Sequence, residues 1–382
     1  LGFVERILPD SVAYLKYRSI MISGVATNGG KEMARISRRG FVTATGALAA
    51  APTLLAALTA RAQPAPPDIG DLRAERDIVF GRARDMATGA DMDLTLDVYR
   101  PPEGVTSKRL GIIHLFGGGF FGGNKNAPYI INNAKALGAR GYTSISANYR
   151  LQTQGNWPSQ IHDTKAAIRW TRANAERIGI DANRIVVAGY SAGGMLALMA
   201  AGTNGRPEFD GDIGTTGVSS DVNGCIGIYP LASATIARAL WPNSEPPPGA
   251  VEAASPTTYI GPNFAPTIFI QGTADTTVLP SSSIDFHNKL QAAGVPTALT
   301  MIQGANHAFD NSALDAVDLA AHSVDLFFDR LIVNPTPYAG FGGGGGRRGG
   351  GRGGPPGGGA PGAAPGGGAP GGARPGGAGG QN

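Results

Sequence analysis

Cysteine is almost missing from this 382-residue chain, with Cys225 the only one. One thiol excludes an intrachain disulfide and any zinc site built from several cysteines. A thiol nucleophile stays formally open, but Cys225 lies inside the apolar run 225–229 and reads as a small core residue. No stretch of about 20 strongly apolar residues is present, which argues against a membrane span. A strong excess of one charge is missing too: 32 basic and 28 acidic side chains leave a formal charge of +4. Residues 1–62 carry eight basic and three acidic side chains, residues 340–382 carry four Arg and no acid, and residues 63–339 carry 20 basic against 25 acidic. The basic character therefore belongs to the ends. Phosphate-backbone binding needs a cationic face, so a net-acidic middle disfavours a nucleic-acid partner.

What is present changes along the chain. Residues 33–42 form a basic region containing Arg38 and Arg39, an Ala/Thr/Leu run follows, and Ala60-Arg61-Ala62 precedes a Pro-rich stretch. This order resembles a twin-arginine signal over 33–62, cleaved after Ala62 and read by the twin-arginine export machinery. The expected location is then periplasmic or secreted. Met33 can start such a signal, which leaves 1–32 as an upstream or non-native extension. Residues 63–74 read as a linker, 75–333 as the folded domain, and 334–382 as a disordered Gly/Pro/Arg-rich tail, since 24 of the 59 glycines follow residue 339 and such a composition buries no core.

Within the middle, strands and helices alternate. Segments 77–83 and 94–100 alternate apolar and polar residues as half-buried strands do. Segments 110–116, 142–147, 184–188, 225–229, 267–270 and 297–302 are short β-branched or apolar runs suited to buried parallel strands. The clearest helical stretch is 158–178. Repeated alternation predicts an α/β fold with a mostly parallel sheet covered on both faces.

The chemistry gathers at strand ends. Gly189-Tyr190-Ser191-Ala192-Gly193-Gly194 lies between the strand 184–188 and an apolar helical run, the placement of a nucleophile elbow. A sharp, strained turn needs small neighbours, and a helix amino end favours developing negative charge at Ser191. A serine hydroxyl needs a base, and the base needs an orienting acid, in the chain order Ser, acid, His. Asp275 follows strand 267–270 and His307 follows strand 297–302, so both open on the edge that carries Ser191. The other histidines, His114 in a strand and His162, His287 and His322 in helical stretches, read as structural or surface residues. Asp310 is too close to His307 along the chain to reach its far nitrogen easily. The oxyanion needs main-chain donors, one from Ala192 and others from Phe116-Gly117-Gly118-Gly119-Phe120 after strand 110–115. That glycine loop has no Lys-Ser/Thr pair after it, so it is not a P-loop. No metal or organic cofactor is required.

Together these motifs resemble α/β-hydrolase esterases, close to hormone-sensitive-lipase-like carboxylesterases and bacterial feruloyl or acetyl-xylan esterases. The resemblance covers about residues 75–333. Its markers are the glycines at 117–119, Asn148-Tyr149-Arg150-Leu151, Asp163 with Trp170, the 189–194 elbow, Ser255-Pro256, and the segments 272–278 and 304–309. It implies Ser191 as nucleophile, Asp275 and His307 completing the triad, and Gly118, Gly119 and Ala192 as oxyanion donors. It also implies an acyl-enzyme esterase acting on acetyl or feruloyl esters of polysaccharides or on other short-chain esters. Two positions depart from the family pattern: Phe116 and Gln271 stand where His is usual. His114, on the same strand face as Phe116, is a candidate substitute for the first. Only 231–262 is available for a cap, which predicts a small one. A prolyl-oligopeptidase-type serine peptidase shares the elbow and triad order, and a non-catalytic surface protein using the tail for attachment is the rival from another class.

Overall fold

The computed structural model describes residues 68–232, 240–241 and 245–336. The expected extension and signal, residues 63–67 of the expected linker, nearly all of the tail, and residues 233–239 and 242–244 of the cap segment lie outside the described residues.

Eight strands form one sheet: β1 (Arg73–Arg84), β2 (Asp91–Arg100), β3 (Gly111–Leu115), β4 (Thr143–Ala147), β5 (Ile185–Tyr190), β6 (Gly224–Ile228), β7 (Thr267–Gly272) and β8 (Thr297–Ile302). Their order is β1-β2-β4-β3-β5-β6-β7-β8. Pairs β1/β2 and β2/β4 are antiparallel, and every pair from β4/β3 to β7/β8 is parallel. Each apolar run expected to be a strand is one, and β1 starts at Arg73, inside the stretch expected to be linker.

Every residue of β3, β4, β5, β6 and β7 is buried. A strand with no exposed residue has both faces covered, so these runs lack the alternation seen in β1 at the edge. The cover comes from α1 (Pro128–Gly138) packed with α7 (Leu314–Phe328), and from α2 (Ser159–Ala173) packed with α4 (Ala192–Gly202). The helix expected over 158–178 is divided: α2 ends at Ala173 and a single turn, α3 (Ala175–Ile178), follows. The break falls at Asn174, whose backbone leaves the helical region (φ −104°, ψ 11°) and whose amide Nδ2 donates, beside its own main-chain N–H, to Trp170 O at 2.9 Å.

Among the described residues the remaining α-helices are α5 (Ala250–Ala253), in the cap segment, and α6 (Pro280–Ala292), against β7 and β8. No helix among the described residues is long and apolar enough to cross a membrane. Cys225 is fully buried in β6, and burial pushes its thiol well above the ordinary value, away from nucleophile chemistry. Because β3 to β8 all run parallel, their carboxyl ends bring six loops to one edge of the sheet.

Candidate active site

Ser191 sits between the last residue of β5 and the first of α4, with φ 52° and ψ −115°. A positive φ at a residue with a Cβ is strained, and the surrounding contacts must hold it. Glycines make that possible: a Cβ on Gly189 would lie 2.1 Å from Gly193 O, and one on Gly193 would lie 2.2 Å from Leu115 O. The elbow therefore packs main chain on main chain. The Ser191 hydroxyl stands at the amino end of α4, where the helix dipole favours negative charge.

Three of the residues expected at the site come together. His307 Nε2 is 3.1 Å from Ser191 Oγ, and His307 Nδ1 is 2.8 Å from Asp275 Oδ2. An ionised carboxylate only accepts, so Nδ1 carries the proton and Nε2 is left to accept from the Ser191 hydroxyl. Asp275 Oδ1 accepts from the amides of Thr277 and Val278 at 2.8 and 2.9 Å. Burial opposes its ionisation, but the His307 bond and these two amides outweigh burial and hold the carboxyl below its ordinary value. Asp275 thus stays charged throughout the range where an imidazole can act as a base.

The glycine loop lies against the elbow: a Cβ on Gly117 would sit 3.2 Å from Ser191 Cβ. Tyr129 Oη accepts the Gly117 amide at 2.9 Å, so that N–H is occupied. The amides of Gly118 and Gly119 donate to no main-chain carbonyl among the described residues. Ala192, first in α4, has an N–H that no helical carbonyl can reach. These are the three donors expected for an oxyanion.

Phe116 stacks on Tyr149 with ring centroids 4.1 Å apart, and Tyr149 Oη donates to Phe116 O at 2.8 Å. This pair and Tyr129 hold the loop. His114 does not: it is fully buried with its ring nitrogens on Tyr190 Oη and Ser144 Oγ, both at 3.0 Å, and burial lowers its pKa to about 3. A neutral histidine bonded to two strands cannot replace a polar group at position 116. Gln271, the other departure, is fully buried. Its Nε2 donates to Asp275 Oδ2 at 3.1 Å while Ser283 Oγ donates to its Oε1 at 2.8 Å, which fixes the amide's orientation.

Sequence reasoning missed Tyr129, Tyr149 and Tyr229 as supports. Tyr149 lies in a segment whose pattern stood out, and Tyr229 ends a strand pointing at the site. Asp310 is not the acid bonded to His307: its carboxylate accepts from Tyr229 Oη and Asn133 Nδ2. Among the described residues no three His, Cys, Asp or Glu side chains gather as a metal-binding group.

The BD-FAE family profile matches residues 96–290, half of the chain. The chain belongs to the BD-FAE family. The matched span holds the glycine loop, Ser191 and Asp275 and ends before His307. Esterase LipC of Mycobacterium tuberculosis is 28% identical over 289 residues, covering 70% of this chain and 68% of LipC. Esterase LipQ of the same organism is 27% identical over 247 residues, covering 61% of this chain and 58% of LipQ. The chain thus spans between about three fifths and two thirds of these relatives. Among solved structures, the apo form of Thermogutta terrifontis esterase 2 is 26% identical with a TM-score of 0.56, covering 72% of this chain and 100% of that one. A truncated carbohydrate esterase from gut microbiota, 23% identical with a TM-score of 0.55, covers 67% of this chain and 99% of its own and shares the fold. This BD-FAE chain is a carboxylic-ester hydrolase with the α/β-hydrolase fold.

Proposed function

We propose that the esterase works through an acyl-enzyme on Ser191. His307 Nε2 takes the hydroxyl proton as Ser191 Oγ attacks the ester carbonyl, and Asp275 holds the imidazole in the tautomer that can accept it. The tetrahedral oxyanion lies against the amides of Gly118, Gly119 and Ala192. The alcohol leaves with the proton from His307, and water, activated by the same nitrogen, releases the acid. The observation that carries this reading is the unbroken chain Ser191 Oγ, His307, Asp275 at 3.1 and 2.8 Å. Wild-type protein should be labelled by a serine-reactive fluorophosphonate and turn over p-nitrophenyl acetate. Ser191→Ala should do neither while keeping the wild-type melting temperature. Undiminished turnover in that variant overturns the assignment.

The substrate in this reading is an ester of a short acyl group, acetyl esters of polysaccharides included. Support comes from esterase 2 of T. terrifontis, solved with propionate bound and 26% identical to this chain with a TM-score of 0.55. Faster cleavage of p-nitrophenyl laurate than of the acetate would defeat it, and acetate release from acetylated xylan tests the polysaccharide part. The site of action is outside the cytoplasm after twin-arginine export, supported by the basic region, apolar run and Ala60-Arg61-Ala62 in that order. An exported protein whose amino terminus is not Gln63 would contradict the cleavage point.

A further inference from the structure

The turn after β8 carries a base and a second acid, and only the base faces Asp275. Asp310 is 1% exposed. Its carboxylate accepts from Tyr229 Oη at 2.7 Å and from Asn133 Nδ2 at 3.0 Å, and its main-chain oxygen accepts from Asn132 Nδ2 at 2.8 Å. Burying an ionisable carboxyl without a cation is unfavourable. The groups that face it are Tyr229 at the end of β6, Tyr129 and Asn133 on α1, Tyr190 at the end of β5, and His307 on its own turn. Of these, His307 alone can become a cation.

Tyr229 links the two. Its ring centroid is 4.6 Å from that of His307, tilted by 58°, while its hydroxyl holds Asp310. Tyr229 has φ 38° and Ala308, next to His307, has φ 54°. A left-handed residue with a side chain thus follows His307 on its own turn, and another, Tyr229, packs on the imidazole from the loop after β6, so both loops store strain that their neighbours must restrain. The restraint reaches the glycine loop as well: Asn133 Nδ2 also donates to Tyr129 O at 2.9 Å, and Tyr129 Oη takes the Gly117 amide.

We propose that Asp310 is a positioning residue for the ester reaction: through Tyr229 and Asn133 it fixes the strained turn that carries His307, and it keeps a buried negative charge near the imidazole. This rests on His307 acting as the base. When Nε2 takes the Ser191 proton the imidazole becomes a cation, and a second carboxylate favours that state alongside Asp275. Burial raises the Asp310 carboxyl to about 6, against the bonds from Tyr229 and Asn133. Asp310 is therefore charged above that pH, where a histidine base is active, and loses its charge below it.

Asp310→Asn removes the charge with little change in shape, and Tyr229→Phe removes one hydrogen bond while keeping the ring on His307. Both are assayed with p-nitrophenyl acetate for kcat and KM from about pH 5 to about pH 9, with melting temperatures and with His307→Ala alongside. Asp310→Asn should lower kcat about tenfold with KM within about twofold. The midpoint of its acidic limb in kcat/KM should move down by about half a pH unit, because the imidazolium loses a neighbouring negative charge. Tyr229→Phe should lower kcat severalfold. A wild-type kcat and pH profile in folded Asp310→Asn overturns the proposal and leaves Asp310 a structural residue. If that variant does not fold, Tyr229→Phe decides, and a wild-type kcat there overturns it. Turnover by His307→Ala would instead defeat the base assignment, a failure distinct from that of Asp310.

Discussion

The Ser191 elbow and the His307 turn meet across one hydrogen bond of 3.1 Å, and they are built by opposite means. The elbow is local: glycines at 189 and 193 let main chain touch main chain, and the residues responsible lie within a few positions of Ser191. The His307 turn is held by side chains from distant parts of the chain, with Asn133 on α1 and Tyr229 after β6 both bonded to Asp310. The nucleophile is fixed by an absence of side chains and the base by an abundance of them. A substitution in the elbow should act through steric conflict with backbone, which cannot move aside, whereas one in the supports of the base should act through a lost hydrogen bond.

The sharpest way to break the elbow is Gly193→Ala. The added Cβ would lie 2.2 Å from Leu115 O and 2.3 Å from Phe116 O, two main-chain atoms that anchor the glycine loop. Relief requires the elbow and the loop to part, so the expected cost is about 3 kcal/mol in stability. The expected loss in kcat is at least about 100-fold, as for reacting groups displaced by about an ångström. Urea denaturation and p-nitrophenyl acetate kinetics measure both. A variant with wild-type kcat would show that the elbow tolerates a shift the geometry forbids.

On the side of the base, Gln271→Leu keeps volume but deletes the amide that donates to Asp275 Oδ2 and accepts from Ser283. Asp275 keeps its bonds from His307, Thr277 and Val278, so the carboxylate loses one donor of four. The expected stability loss is about 1–3 kcal/mol for buried groups left without partners, and kcat should fall about tenfold with KM little changed. A loss as large as that of Gly193→Ala would erase the distinction between a site held by backbone and one held by side chains.

The same contrast explains what the sequence revealed. Ser191, Asp275 and His307 were legible because each follows a short apolar strand and lies in a run of small residues, and parallel strands carry such loops to one edge. The strands were legible by two signals: β1 and β2 alternate, and β3 to β7 are buried apolar runs that need no partner to be recognised, whereas β8, expected to be buried as well, is only half-buried because it lies at the sheet edge. The supports were not. Tyr229 and Asp310 are 81 residues apart and Asn133 and Asp310 are 177 apart, and no local pattern marks a hydrogen bond across such a span. His114 illustrates the limit: its place on the face of Phe116 suggested a role at the glycine loop, but its partners on β4 and at the end of β5 are set by the sheet order. The periodic helix breaks at Asn174 through a local change of backbone angles, which hydrophobic spacing does not register.

Tyr149→Phe gives the smallest effect and separates two ways of holding the glycine loop. The wild-type ring stacks on Phe116 and the hydroxyl donates to Phe116 O. The variant keeps the stack and loses the bond. If the hydrogen bond fixes the carbonyl, and through it the amides of Gly118 and Gly119, the expected outcome is a stability loss of about 1 kcal/mol. The accompanying fall in kcat should be about two- to fivefold, with KM unchanged, because a donor displaced slightly still reaches the developing oxyanion. An unchanged kcat together with the expected loss of stability would assign the loop's position to the aromatic stack. In that case Phe116 restrains the loop by packing, and the bond from the Gly117 amide to Tyr129 Oη is left as the side-chain hydrogen bond that holds it.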